Sequence, residues 1–82
     1  MGKTNVERYQ AGYTTFLQRL RAARLSKELT QAQAAALVGR DQYWLSRCET
    51  GARRVDVVEL LLFAQIYDKP LTYFTKNLVD SP

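Results

Sequence analysis

The sequence has no histidine. That absence removes the Ser-His triad, the imidazole general base and most zinc sites. Cysteine occurs once, at Cys48, so neither an intramolecular disulfide nor a thiolate cluster can form. A lone thiol in a short, unstapled chain fits a reducing cytoplasm. No apolar run exceeds the five residues of Leu60–Ala64, far short of a membrane span. The opening Met1-Gly2-Lys3-Thr4-Asn5 lacks the apolar stretch of a signal peptide. No Gly-rich phosphate loop and no DxD-type cluster of metal ligands occurs. These absences leave no expected catalytic residue, metal or cofactor, and argue against an enzyme.

What remains is one small domain of 82 residues, 46% apolar and 24% charged. A domain of that size buries only about 60% of its unfolded surface and gains from a partner. The charge is polarised. Residues 1–54 carry ten basic side chains against four acidic ones, a net of +6. Residues 55–82 carry two against four, a net of −2. A basic half suits a polyanion, and the other half is free for another task.

Helical spacing dominates, and sustained period-two alternation is missing. Tyr13, Phe16, Leu17, Leu20 and Ala23 form one stripe, predicting a first helix over about 13–25. Residues 1–12 read as an arm. Thr4-x-x-Glu7 has the form of a capping box, but Gly12 would cost about 1 kcal/mol inside a helix. Thr30 caps a second, alanine-rich helix over 31–38, which Gly39 ends. Asp41 caps a third over 42–50, which Gly51 ends. A tight glycine-containing turn joins these two. Asp56 caps a fourth helix over 57–67. It is apolar almost all round, and the spacing predicts the most buried helix of the set. Lys69-Pro70 stops it. A fifth element over 71–78 places Leu71, Phe74 and Leu78 on the core and turns Tyr73 and Val79 toward a partner. Residues 79–82 form a tail.

The stretch from Leu29 to Gly51 resembles the helix-turn-helix of the phage-repressor (Cro/Xre-type) family. That family reads roughly L-T/S-Q-x-x-L-A-x-x-x-G-V-S-x-x-x-I-S-x-I/W-E-x-G. Thr30-Gln31, Ala35, Gly39, Leu45, Ser46, Glu49 and Gly51 match it. Leu20-Arg21-Ala22-Ala23-Arg24 looks like the family's first helix, and Arg53 to Leu60 like the opening of its fourth. The likeness covers about residues 13–76. Arg40, Ala34 and Glu28 depart from it, the last where a helix-ending glycine is common. The resemblance implies an all-α, compact five-helix lambda-repressor-like domain, with helices two and three as the DNA-binding pair. It also implies a buried Arg24–Glu49 salt bridge.

On the third helix Leu45 and Cys48 share the core face, and Cys48 reads as an inert core thiol. Gln42, Tyr43, Ser46 and Arg47 share the opposite face. Gln pairs with adenine, Arg with guanine and Ser with either, so these four are the base-contacting candidates. Gln31, Arg40, Arg53 and Arg54 are the phosphate-contacting candidates. Trp44 lies between the faces; the resemblance implies that it packs half-buried against the second helix, the alternative being a ring edge near thymine methyls or the DNA backbone. The expected function is sequence-specific binding of double-stranded DNA as a cytoplasmic transcriptional regulator, a repressor ahead of an activator. It would read a palindromic operator as a homodimer built through the C-terminal region. The alternative is an antitoxin-type or other protein-interaction module on the same fold.

Overall fold

The computed structural model describes residues 2–79. Five helices follow one another: α1 (Asn5–Ser26), α2 (Gln31–Leu37), α3 (Gln42–Thr50), α4 (Val57–Ile66) and α5 (Leu71–Thr75). There is no strand among the described residues. The fold is all-helical and small, with α2 and α3 packed against each other and α1 against both α3 and α5.

The largest departure from the sequence reading is at the start. The first helix begins at Asn5, not near Tyr13, so residues 5–12 are not a separate arm. Thr4 Oγ1 accepts from the Glu7 N–H at 3.1 Å, and Glu7 Oε1 accepts from the Thr4 N–H at 3.1 Å. This is the capping box that Gly12 argued against. Gly12 has another purpose. A Cβ there would lie 2.5 Å from the Leu78 carbonyl oxygen, so the missing side chain lets the C-terminal segment lie on α1. Arg19 fastens the same segment, with Nη1 donating to the Lys76 carbonyl at 2.6 Å and the Phe74 carbonyl at 3.3 Å. The α5 helix therefore ends at Thr75, and 76–79 follow as turn and bend.

Three helices end in the same way. After α1, the Glu28 N–H donates to Leu25 O and the Leu29 N–H to Arg24 O. After α2, Gly39 and Arg40 repeat the pattern on Ala36 and Ala35, and after α4, Asp68 and Lys69 repeat it on Gln65 and Ala64. Each is a Schellman motif that requires a left-handed residue. Gly39 supplies one freely, but Glu28 (φ 57°) and Asp68 (φ 55°) are held in the region that favours glycine. Glu28→Gly is therefore expected to raise stability by about 1 kcal/mol. In thermal unfolding that is roughly a 4–8 °C rise. An unchanged or lower midpoint would show that the Glu28 backbone carries no strain.

The core is built from Phe16, Leu20 and Ala23 of α1, Ala34 and Ala35 of α2, Leu45 and Cys48 of α3, Phe63 and Ala64 of α4, with Tyr67 and Phe74. The two buried alanines let α2 approach its neighbours closely. Trp44, Phe63 and Tyr67 stack in series at 5.9 and 5.7 Å between centroids. The Tyr67 hydroxyl is buried without a hydrogen-bond partner, and burial pushes its pKa up.

The fourth helix is not the most buried one. Only Phe63 and Ala64 of α4 are buried, while Val57, Val58, Leu61 and Leu62 are exposed. An apolar helix surface marks what can be covered, and here a single chain covers one side of it. Tyr73 is also not turned outward. It is half-buried edge-on to Phe74 at 5.1 Å, leaving Val79 exposed, and Leu71, expected on the core, is exposed as well.

Candidate nucleic-acid interface

The recognition face grows out of the α2–turn–α3 unit. Asp41 Oδ1 accepts from the Trp44 N–H at 2.9 Å and fixes where α3 begins. From that start, Leu45 and Cys48 fall on the core side and are buried. Gln42 and Tyr43 fall on the solvent side and are exposed, Tyr43 to 70%, while Ser46 and Arg47 are half-buried. The Arg47 guanidinium lies 5.5 Å from the Tyr43 ring centroid, one helical turn away. No acidic residue lies between Asp41 and Glu49.

One buried ion pair holds this unit to the rest of the domain. Arg24 Nε donates to Glu49 Oε2 at 2.6 Å and Nη2 to Glu49 Oε1 at 3.0 Å. The two side chains are 8% and 4% exposed. Glu49 raises the Arg24 pKa by this hydrogen bonding. Arg24 Nη1 also donates to the Leu29 carbonyl at 2.9 Å, so α1, the loop before α2 and the end of α3 meet at one guanidinium. Gln31 joins them, with Nε2 donating to Glu49 Oε1 at 3.1 Å. An amide nitrogen has two protons, so one is left for a ligand outside.

The arginines differ in ways the sequence did not show. Arg40 lies 5.2 Å from the Trp44 ring centroid. Arg54 sits over Tyr13 at 4.6 Å and Tyr9 at 5.5 Å. Neither forms an ion pair with a carboxylate among the described residues. Arg53 is not similarly available. Its Nη1 and Nη2 donate to Glu59 Oε1 and Oε2, each at 2.8 Å, and Nη1 also reaches the Arg54 carbonyl at 2.9 Å. Arg53, expected as a phosphate contact, is a paired, partly covered group. Nothing in the spacing from 53 to 59 signals this pair, because a loop and a helix start intervene.

Trp44 is half-buried, as expected, and its ring stacks on Phe63 of α4; the indole N–H is buried without a partner. Burial raises the Cys48 pKa, the effect of nearby Arg53 being smaller and opposite. The thiol is therefore held protonated in the core, which suits an unreactive group.

Two short helices at a glycine turn, the second with an outward Gln-Tyr-Ser-Arg face flanked by arginines, define a DNA-binding helix-turn-helix domain. The model of a helix-turn-helix domain family matches residues 15–71, and the chain belongs to that family. No curated protein and no solved structure matches it. Among the described residues, no helix is long and apolar enough to cross a membrane.

Proposed function

We propose that the protein is a sequence-specific regulator of transcription of the phage-repressor (Cro/Xre) type, working as a cytoplasmic homodimeric repressor on a palindromic operator. The observation that carries this reading is the outward face of α3, which is polar, free of acid and flanked by Arg40 and Arg54. In this reading α3 enters the major groove and α2 lies across the backbone. Gln42, Tyr43, Ser46 and Arg47 contact bases. Gln31, Arg40 and Arg54 contact phosphates, Gln31 through the amide proton that Glu49 leaves unused.

The C-terminal half supplies the dimer face. Val57 and Leu61 lie one turn apart on α4, and Leu71 lines the same groove as Leu61, all exposed. The groove bounded by Leu61, Ala64, Gln65 and Leu71 also has Asp68 and Lys69 on its rim. A two-fold contact uses the same patch on both copies, and this patch offers apolar side chains with one residue of each charge sign. The two recognition helices would then lie about 34 Å apart.

Selection of bound sequences from a random duplex library tests the whole reading. A palindromic motif is expected. Absence of enrichment, with a folded protein, would favour a protein-interaction module such as an antitoxin. Within the selected site, Gln42→Ala is expected to relax preference at one position by about 1–3 kcal/mol, and Arg47→Ala at another. Equal losses on operator and random duplex would remove both residues from base readout.

A further inference from the structure

We propose that Glu59 is an internal anion that withholds Arg53 from the DNA backbone, setting polyanion affinity below what the arginines around α3 would give. This rests on the DNA-binding reading above and concerns how that same surface is tuned.

Glu59 is fixed from two sides. Its Oε1 accepts from the Asp56 N–H at 2.9 Å, while the Glu59 N–H donates to Asp56 Oδ1 at 2.8 Å. This capping box sets the carboxylate at the first turn of α4 before Arg53 is considered. Arg53 then closes on it with two parallel bonds of 2.8 Å. The pair is partly covered, at 33% exposure for Arg53 and 14% for Glu59. Arg53 is also held by its bond to the Arg54 carbonyl and lies 5.1 Å from the Trp44 ring centroid.

A phosphate must compete with all of these. A bidentate carboxylate uses the same parallel donors that a phosphate would take. Pulling Arg53 away would leave a half-covered carboxylate unpaired beside a second anion, which is unfavourable twice over. Arg54 has no carboxylate partner among the described residues, and Arg40 feels the Glu59 charge without hydrogen-bonding to it. The arginines that follow α3 are therefore unequal: Arg54 neutralises phosphate, and Arg53 braces Trp44 and α4.

Glu59→Gln tests this, because glutamine keeps the capping box and the shape but removes the charge. The wild type, Glu59→Gln and Arg53→Gln are titrated with the selected operator and with a random duplex over a range of salt. In Glu59→Gln the slope of log affinity against log salt is expected to steepen by about 0.9 per subunit. Affinity for random duplex rises with it, so discrimination falls. Arg53→Gln is expected to keep the wild-type slope. Trp44 is the only tryptophan and both Arg40 and Arg53 lie over its ring, so its emission in Glu59→Gln is read against that of Arg53→Gln, which removes the Arg53 part alone. It is expected to change in Glu59→Gln without DNA. An unchanged slope in Glu59→Gln, or a flatter one in Arg53→Gln, overturns the proposal while leaving DNA binding intact. A wild type that binds neither duplex overturns this proposal and the reading beneath it.

Discussion

Glu49→Ala is expected to lower stability by about 3–5 kcal/mol, because it strands the buried Arg24 guanidinium. A domain of 82 residues has a total of roughly 4–12 kcal/mol at 0.05–0.15 kcal/mol per residue. The variant would therefore sit close to unfolding, with its thermal midpoint lowered by at least ~12 °C. The size follows from geometry. The pair is nearly sealed from water, so solvent screening offers little relief. Arg24 would keep only the Leu29 carbonyl, and Gln31 would lose its partner. Replacing both partners by apolar residues of similar volume should recover most of the loss, because the penalty arises from an uncompensated charge. Urea unfolding followed by helical circular dichroism measures all three proteins. A loss under about 1 kcal/mol in Glu49→Ala would mean that water reaches Arg24 and that the pair does not tie α1 to α3.

Local chemistry was the most legible part of the sequence. Thr30, Asp41 and Asp56 were readable as caps because each acts on a backbone N–H three residues away. Once Asp41 fixed the start of α3, the helical period alone separated buried Leu45 and Cys48 from exposed Gln42 and Tyr43. Glu28 was visible as a departure from the resembling family, and its left-handed backbone gives that departure a physical cost.

What escaped depends on contacts far apart in the chain. Gly12 looked like a helix breaker because propensity counts only its own helix. Its reason for being glycine is the carbonyl of Leu78. The resemblance gave Trp44 a place against α2 but not its stacking on Phe63, which reaches it only once α4 has docked. Arg53 and Arg54 are adjacent and look alike in sequence. One meets a carboxylate of α4 and the other two neutral tyrosine rings of α1, so only the first has its charge neutralised. A charge count cannot make that distinction.

Leu61→Glu is expected to convert a dimer into a 9.4 kDa monomer and to weaken operator binding by ~100-fold or more. The apolar surface of α4 leads to this result. Leu61 is 45% exposed, so glutamate there does not enter the monomer core and helix content should hold. In a two-fold dimer the same patch is used twice, so one substitution puts two charges into the apolar contact. Desolvating them costs several kcal/mol against a burial gain of about 1.5–3 kcal/mol for each leucine. Operator affinity falls because the second recognition helix no longer binds as part of the same particle. Light scattering at tens of micromolar, with and without operator, reads the mass directly. If Leu61→Glu remains dimeric, the interface lies elsewhere, and exposed Val79 is the next position to charge. If the wild type is itself monomeric under both conditions, the homodimer is wrong and the α4 surface belongs to a different protein.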